Sequence, residues 1–232
     1  MKVLIGGASG DIGVGCAKIL SKIEYITTIL GCDIDRKPWN EYYLDSFVQS
    51  PPAKAPEYVD WLLNILEQKD IGIFIPTSEA ELERLSKANI PPNLVKRIVM
   101  VSSNIVELCL DKYKCMSYLA SNKISVPVTN RMGILPTVFP VIVKPNKGQG
   151  SKDIKLVESV TDFEASLKSN RIWQSYIPEN EGEYTCGVFR SKSGGTRSII
   201  LKRTLANGRT ISGQVRRNEQ IESCMTAISE IF

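Results

Sequence analysis

The stretch PVIVKPNKGQGSKDIKLV (residues 140–157) sets a polar, glycine-rich loop between two largely apolar runs. The runs predict strands over Pro140–Lys144 and Ile154–Val157, joined as a hairpin across the loop. Lys144 ends an otherwise apolar strand, where burial of an unpaired ammonium is costly. A polyphosphate is a sufficient reason for it, because the loop Lys147–Ser151 can fold over phosphates, with backbone N–H groups and the Ser151 hydroxyl as donors. The alternative is a strand-end lysine that reaches solvent above an ordinary hairpin.

The segments around this hairpin mix strands and helices, which predicts an α+β arrangement after about position 105. The predicted helices cover Asp111–Ser121, Thr161–Leu167 and Asn218–Ile231, and a turn-rich linker covers Pro127–Pro136. The predicted strands lie near Ile172–Ile177, Tyr184–Arg190 and Ser198–Thr204, with a hairpin turn at Asn207-Gly208.

The first hundred residues instead alternate strand-like and helix-like segments, which predicts a parallel sheet in a compact Rossmann-like unit. The predicted strands are Val3–Ile5, Ile26–Gly31, Ile71–Ile75 and Arg97–Val101. The predicted helices are Asp11–Ser21, Tyr58–Gln68 and Glu79–Ala88, the last opened by a capping box with Glu81, and Arg36–Pro56 is predicted to be irregular.

A second glycine-rich stretch opens the chain, where Gly7, Gly10 and Gly13 follow the first predicted strand. Asp33 stands 20 residues after Gly13, about where a nicotinamide-binding domain places its ribose-binding acid. The pattern also fits a structural turn or a site for a different anion. Two absences weigh against an oxidoreductase or a P-loop enzyme: the sequence has no Tyr-x-x-x-Lys and no Gly-Lys dipeptide.

The amino-acid composition limits the kinds of protein and of active site that are possible. With 232 residues, 43% hydrophobic and 23% charged, the chain is typical of a globular protein with one large or two small domains. It contains no histidine, which excludes triads with a histidine base and zinc sites that need imidazole. Its six cysteines are scattered, as free thiols in a reducing compartment are, and its apolar runs are too short to cross a bilayer. We therefore expect a cytoplasmic protein without a membrane partner.

Positive charge is concentrated near the carboxyl end. The net charge is +4, and no acidic residue occurs between Glu183 and Glu219. Such a block is typical of a surface that binds nucleic acid, phosphates or an anionic substrate. The alternative is a basic surface that is only solvated. Its members are Arg190, Lys192, Arg197, Lys202, Arg203, Arg209, Arg216 and Arg217.

Five short stretches follow one another along the chain: Ile75–Leu82, Asp111-Lys112, Pro140–Pro145, the loop through Gly148 and Ser151, and Trp173–Ile177 leading to Gly182–Thr185. In this order they resemble the ATP-grasp enzymes, in particular those similar to the large chain of carbamoyl-phosphate synthase. The resemblance implies a Rossmann-like domain over 1–104, a first ATP-grasp subdomain with the glycine loop over 105–172, and the start of a second subdomain over 173–232.

The resemblance also implies residue roles around ATP. Lys112 and Lys144 would contact phosphates, and the loop that contains Gly148, Gly150 and Ser151 would close over them. The adenine pocket would be lined by Gln174 with the backbone of Tyr176 and Ile177, and Glu183 would bind the ribose hydroxyls. Lys144 and Arg203 would stabilise the transferring phosphoryl group. Gln174 and Glu183 as ordinary surface residues are the alternative.

Magnesium is the weak point of the resemblance. In the family the metal ligands are a Glu and then a Glu-x-Asn from a later strand pair, and nothing after Glu183 fits that motif. The later glutamates Glu219, Glu222 and Glu230 lie on the predicted terminal helix. We therefore expect metal ligands beyond Phe232, and a truncated chain, a natural fragment or half of a split enzyme.

The predicted function is an ATP-dependent carboxylate ligase that forms an acylphosphate and passes it to an amine. The opening glycine loop would then serve the substrate side, with Gly7, Gly10, Asp11 and Glu79 near a carboxylate. The alternatives are an ATP- or ADP-binding module without catalysis, a split-enzyme subunit and an NAD(P)-dependent oxidoreductase. Expected partners are small carboxylates and amines, a complementary C-terminal polypeptide or a second copy, and not nucleic acid.

Overall fold

A computed structural model describes residues 1–148, 150, 153–178, 182–191, 193–206 and 209–232. The chain divides into two compact units, Met1–Glu107 and Leu108–Phe232. Among the described residues, no helix combines the length and apolar character that a membrane span requires.

The elements of the first unit are given in chain order. They are β1 (Lys2–Gly6), α1 (Asp11–Leu20), β2 (Thr28–Asp33), a 3-10 turn (Pro38–Tyr42), β3 (Ser46–Gln49), α2 (Tyr58–Gln68), β4 (Ile73–Ile75), α3 (Glu79–Ser86) and α4 (Pro92–Val95), followed by α5 (Ser103–Leu110), which runs across the division between the units.

The first unit is built on a four-stranded parallel sheet with the order β3-β2-β1-β4. Parallel sheets are covered on both faces, and β1 is accordingly apolar on both sides. Leu4 packs in a core cluster with Leu62 of α2, whereas Ile5 packs in a second cluster with Ala17 of α1. Because successive side chains of a strand point to opposite faces, α1 and α2 cover opposite sides of the sheet.

Two predictions for this unit are wrong. Arg97–Val101 is not a strand, since among the described residues it contributes only a single bridge from Ile98 to Phe74. Arg36–Pro56 is not irregular throughout, since it contains the 3-10 turn and the edge strand β3. β3 reads SFVQ, and its short, half-exposed pattern lacks the continuous apolar run that marks the inner strands.

The elements of the second unit follow α5. They are α6 (Lys112–Ser121), β5 (Thr129–Arg131), β6 (Val141–Pro145), β7 (Lys155–Val157), α7 (Val160–Ala165), β8 (Arg171–Ser175), β9 (Glu183–Arg190), β10 (Thr196–Ala206), β11 (Arg209–Arg216) and α8 (Glu219–Ile231).

The second unit contains two antiparallel sheets, with orders β5-β8-β6-β7 and β11-β10-β9. In the first sheet, Val143 and Trp173 pack with Phe163 of α7 in one buried cluster. In the second sheet, α8 packs on β9 and β10, and Ile200 and Met225 are buried there. The predicted hairpin across the glycine loop is confirmed, because Val143 of β6 pairs with Lys155 of β7.

The predicted boundaries here need smaller corrections. The linker Pro127–Pro136 contains the three-residue strand β5, and the strand predicted to reach Ile177 ends at Ser175. The turn predicted at Asn207-Gly208 lies outside the described residues, but the strands on either side pair antiparallel, with Ala206 opposite Arg209.

Candidate functional site

Strand register separates a core face of the first antiparallel sheet from a polar face. Lys144 lies opposite Ile172, and Gln174 lies opposite both Ile142 and Thr129. Cross-strand partners share a face, so these residues stand on the side away from Val143 and the core cluster. The alternation of β6 therefore turns Lys144 out of the core, beside Gln174 on one surface, which we call the polar face.

Gln174 is held firmly on the polar face. It is 8% exposed, and its Nε2 donates to Thr129 Oγ1 at 2.8 Å. The next residues, Tyr176 and Ile177, are 37% and 67% exposed, and the Tyr176 amide donates to Pro140 O at 3.2 Å. The predicted adenine-pocket residues are therefore contiguous at the end of β8, but the Tyr176 N–H is already used.

Helix α6 brings the second predicted phosphate lysine to the end of β6. Asp111 caps the helix by accepting from Lys114 N at 2.9 Å. The first turn is fixed to Asn146, whose backbone O accepts from Lys112 N at 3.1 Å and whose Oδ1 accepts from Tyr113 N at 2.9 Å. Since Asn146 follows β6 directly, the two lysines that are 32 residues apart in sequence become neighbours.

The two lysines repel each other. The pKa of Lys144 is lowered, first by partial burial and then by the positive charge of Lys112. The Lys112 Nζ donates to Gly148 O at 2.6 Å, so it is directed at the glycine loop. A bound polyanion would relieve both causes of the lowered pKa, because it supplies the missing negative charge between two ammonium groups.

Two glycines of the loop after β6 have space beside them. Gly148 has φ +107° and Gly150 has φ +75°, and, chain neighbours aside, no atom of the described residues lies within 4 Å of a Cβ built on either one. Positive φ values favour glycine. Within the described part of the chain this leaves room for a ligand beside both glycines, whereas Ser151 lies outside the described residues.

A cavity of about 180 Å³ opens beside this loop. Its lining includes Asn146 and Ile172 from the ends of β6 and β8, and the basic residues Arg131, Lys168 and Arg171. Arg171 is paired with Asp153, whereas Arg131 stacks on Tyr113, 4.8 Å from the ring centroid. The end of the sheet near Lys144 is thus positively charged, as an anion site requires.

Two predicted site residues pair with each other in the second sheet. Glu183 and Arg203 are cross-strand partners, and Arg203 Nε donates to Glu183 Oε1 at 3.1 Å. Their side chains are 38% and 27% exposed. The sequence predicted separate roles for them, and nothing in a spacing of 20 residues indicated the ion pair.

Strand alternation also divides the basic block. Arg197 and Arg203 lie on one face of the second sheet, and Lys202 and Arg216 on the other. Arg190, on the latter face, donates to Ser229 O of α8 at 2.9 Å. Lys192 lies outside the described residues. The cationic run is therefore divided between two faces, and Arg203 on one of them is paired with Glu183, which does not favour a single nucleic-acid surface.

The glycine loop that opens the chain, after β1, uses its amides in hydrogen bonds within the protein. Ala8 N donates to Cys32 O at 3.1 Å, Gly10 N to Gly7 O at 3.0 Å and Ser9 N to Asp33 Oδ2 at 3.0 Å. Asp33, the candidate ribose acid of a dinucleotide site, is thus occupied by the loop itself, which weakens the oxidoreductase alternative.

The four predicted substrate-side residues lie at one edge of the first unit. Gly7 and Gly10 follow β1, Asp11 opens α1, and Glu79 opens α3 just after β4. β1 and β4 are parallel neighbours, so their carboxyl ends meet at that edge. Ligands of open α/β sheets bind at such edges.

The sequence missed a buried carboxylate beneath this loop. Glu81 is 5% exposed; its Oε1 accepts from Tyr58 OH at 2.8 Å, and its Oε2 accepts from Ser78 Oγ at 2.9 Å. Burial raises the pKa of Glu81, although the hydrogen bonds from Tyr58 and Ser78 oppose that rise. The capping box predicted for Glu81 is confirmed. Its burial beneath the loop was not predicted. The residue in the sequence that reflects this burial is Gly6, because a Cβ there would collide with Glu81 Oε1.

Comparison with known proteins assigns the second unit to a family. A family model described as an ATP-grasp domain matches residues 109–220. The second unit belongs to the ATP-grasp family. The matched residues include Lys112, Lys144 and Glu183.

Three solved structures carry the same fold as this chain. L-amino acid ligase from Bacillus licheniformis has a TM-score of 0.71 and 14% identity, over 99% of this chain and 60% of that one. N5-carboxyaminoimidazole synthetase from Staphylococcus aureus, complexed with ADP, has a TM-score of 0.70 and 15% identity, over 99% and 62%. The biotin carboxylase domain dimer of the Hydrogenobacter thermophilus 2-oxoglutarate carboxylase, with MgADP and bicarbonate, has a TM-score of 0.73 and 14% identity, over 99% and 58%.

A curated relative is more similar in sequence. The uncharacterized protein MG011 of Mycoplasma genitalium is 31% identical over 137 residues, which are 55% of this chain and 47% of that protein. The chain thus spans about half the length of this relative and about three fifths of the solved structures.

Proposed function

We propose that this chain is the nucleotide-binding part of an ATP-dependent ligase that phosphorylates a carboxylate and passes the acyl group to an amine. One observation carries the proposal: the positive charge of Lys112 helps to lower the pKa of Lys144, and both lysines lie at the glycine loop that follows β6. Membership of the ATP-grasp family supports it, as do neighbours that are ligases or nucleotide complexes.

We propose the following contacts with ATP, which the positions of these residues support. Lys112 and Lys144 would bind phosphate oxygens, with the Gly148–Gly150 loop and Ser151 closing over them. The adenine edge would meet the N–H of Ile177, because that of Tyr176 already donates to Pro140 O. These contacts use ammonium groups for the phosphates and a backbone amide for the purine edge, which are the groups that generally recognise them.

The second sheet would complete the nucleotide site. Glu183 would accept from the ribose hydroxyls while Arg203 holds its carboxylate in place and neutralises it. Arg203 would also add positive charge near the transferring phosphoryl group, where positioning and electrostatics dominate catalysis.

Magnesium would neutralise phosphate charge when bound. Among the described residues, no group of three or more cysteine, aspartate or glutamate side chains could hold a metal ion. We propose that the full site includes ligands from a segment that the longer relatives possess, in the same polypeptide or in a complementary one, and carbamoyl-phosphate-synthase-like chemistry is one form it could take.

The first unit would serve the substrate side as a Rossmann-like domain. Its parallel strand order supports this assignment. Gly7, Gly10, Asp11 and Glu79 would surround an anionic group such as a carboxylate, at the strand edge and the α1 N-terminus. We place the enzyme in the cytoplasm because its six cysteines are free thiols. A second copy of the chain is the other proposed partner, by analogy with the biotin carboxylase domain dimer.

A non-catalytic ATP- or ADP-binding module is the second candidate, favoured because the described residues hold no cluster of three or more metal-ligating side chains. Two assays test both candidates. Thermal unfolding should shift upward with Mg-ATP and not with NADP, and the reverse pattern would overturn the nucleotide assignment. Phosphate release with pooled carboxylates and amines, by this chain and by a longer polypeptide, should appear in at least one of them for a ligase and in neither for a module.

A further inference from the structure

The cavity beside the glycine loop after β6 has an unusually one-sided lining. Its volume is about 180 Å³, and among the described residues it is lined by three basic side chains, Arg131, Lys168 and Arg171, and by no aspartate or glutamate. Arg131 ends β5, Arg171 opens β8, and Lys168 lies between α7 and β8. Three separate segments of the second unit therefore bring positive charge to one small space, which favours an anion there.

Two of these cations have no acidic partner. Within the described part of the chain, neither Arg131 nor Lys168 forms a salt bridge, and both residues are exposed. The Arg131 guanidinium lies over the ring of Tyr113 of α6, 4.8 Å from its centroid. Stacking fixes the plane of a guanidinium, while its N–H donors point outward within that plane. Arg131 is therefore oriented by the ring and keeps its donors for an oxyanion.

Arg171 forms the buried side of the cavity. It is 8% exposed, its Nη1 pairs with the Asp153 carboxylate, and its Nη2 donates to Val143 O at 3.3 Å and to Asp153 O at 2.6 Å. Its Nε, in contrast, is buried and has no hydrogen-bond partner among the residues that the structure describes. A buried donor without an acceptor is costly. The lining of the cavity thus includes a polar group whose bonding capacity is not used up.

We propose that this cavity binds a small oxyanion of the size of inorganic phosphate, at a site separate from the phosphate lysines Lys112 and Lys144. Arg131 and Lys168 would neutralise the anion from the exposed side, and an oxyanion against Arg171 would supply the acceptor that its Nε lacks. Guanidinium groups suit oxyanions because their donors form a planar fork. Pockets for drug-sized ligands have volumes of about 300–1,000 Å³, so a cavity of about 180 Å³ favours an ion over a nucleotide.

Strand register keeps this site apart from Lys144. Arg131 and Lys144 both pair with Ile172, from opposite sides of β8, so they are two strands apart, about 10 Å at the usual strand spacing. The Ile172 side chain shares their face and is 0% exposed, so it stands between them as an apolar partition. An anion at Arg131 is therefore not expected to contact Lys144, and the site does not depend on the proposed function.

Nuclear magnetic resonance of the isotope-labelled chain tests the site with inorganic phosphate alone. Phosphate is titrated at constant ionic strength, balanced with chloride, and the backbone amide signals are followed residue by residue. We expect saturating shifts over 131–133 and 168–172. Arg131→Gln and Lys168→Gln should each weaken phosphate binding about three- to ten-fold, through the loss of one charge-assisted contact. Lys155→Gln, which removes an exposed lysine of β7 in the same sheet, should leave phosphate binding unchanged.

The same spectra show whether each variant is folded, so a loss of binding is not confused with unfolding. Three outcomes would overturn the proposal: shifts that never saturate, equal losses in Lys155→Gln and Arg131→Gln, or saturating shifts confined to the residues around Lys112 and Lys144. Acetate should bind more weakly than phosphate, because it carries less charge and fewer acceptor oxygens. Equal affinity for acetate would overturn the assignment to a phosphate-sized oxyanion.

Saturating Mg-ATP then separates this site from the nucleotide site. The phosphate shifts over 131–133 and 168–172 should persist in its presence and also in Lys144→Met. Displacement of phosphate by Mg-ATP, or its loss in Lys144→Met, would make the cavity part of the nucleotide site and overturn the proposal. A chain that binds phosphate in the cavity but binds no Mg-ATP would instead overturn the proposed function and leave this site standing.

Discussion

The two glycine-rich loops of this chain follow apolar strands in the same way, yet they differ in what their backbones do. The opening loop donates three consecutive amides, from Ala8 to Gly10, to acceptors within its own unit. In the loop at Gly148 and Gly150, no atom of the described residues apart from chain neighbours crowds either glycine, and two mutually repelling lysines lie beside it. Glycine spacing therefore indicates a sharp turn in both loops, but only free space and unbalanced charge indicate a ligand site.

The comparison would be sharpened most by Lys144→Met. We expect Mg-ATP affinity to fall about ten- to a hundred-fold, the loss of a charge-assisted hydrogen bond worth roughly 1.5–3 kcal/mol. The melting temperature of the free protein should stay the same or rise, because the variant removes a partly buried, repelled charge. Calorimetric titration and thermal unfolding measure the two effects.

Lys155→Met is the matched control. Lys155 lies on neighbouring β7, opposite Val143, and is exposed. Its register puts it on the other face of the same sheet, so nucleotide affinity should be unchanged. Equal losses in both variants would mean that Lys144 acts only through general charge.

The closed loop would be broken by Gly13→Ala. A methyl at Gly13 would lie 2.5 Å from Gly7 O and 2.6 Å from Ala8 Cα, both backbone atoms that cannot rotate away. We expect a loss of about 1–3 kcal/mol in the free energy of unfolding, measured with urea. Gly15→Ala, in the same helix with no atom within 4 Å, should instead stabilise by about 0.5–1 kcal/mol. A neutral Gly13→Ala would show that the close packing of α1 on this loop is wrong.

A third variant, Glu81→Gln, examines the carboxylate under the closed loop. Because its pKa is raised in the folded state, the contribution of Glu81 is fully present below its unfolded pKa and declines as pH rises through the folded pKa. The difference in unfolding free energy between wild type and Glu81→Gln should therefore shrink over that interval. At low pH, Glu81→Gln should cost about 1–2 kcal/mol, because the amide cannot reproduce the Tyr58 and Ser78 hydrogen bonds. A difference that grows with pH would contradict the raised pKa.

The smallest effect on stability is expected in the open loop. The methyl of Gly148→Ala meets no atom of the described residues beyond its chain neighbours and strains only a positive φ, so the free energy of unfolding should fall by about 1 kcal/mol or less. Mg-ATP affinity should fall more than this change in stability would suggest, because closure of the loop needs the same backbone freedom. The reverse pattern, with stability lost and affinity kept, would make this loop structural.

Much of the fold could be predicted because local patterns and packing agree. The apolar spacing of Tyr58–Gln68 gave the bounds of α2 correctly, and the glycine loop between two apolar runs gave the β6–β7 hairpin. The membership of the ATP-grasp family was likewise legible from ordered short motifs. Short edge elements such as β3 and β5 were missed, because their pairing partners, and not their own residues, make them strands.

The site was only partly predictable for the same reason. Lys144 and Lys112 were identified from their residue types and from the family resemblance, and their roles stay predictions. The pairing of Glu183 with Arg203, and the burial of Glu81 against Tyr58, depend on contacts between distant segments. Asp33 is the opposite case. Its spacing from the glycines is typical of a ribose-binding acid, but its carboxylate accepts a hydrogen bond from the Ser9 amide.

Amide hydrogen exchange with and without Mg-ATP tests the central claim most directly, because it reports both glycine loops in one experiment. We predict that Mg-ATP slows exchange in the peptides over 141–157 and 172–184, and leaves the peptides over 6–14 unchanged. Slower exchange over 6–14 with no change over 141–157 would contradict the account.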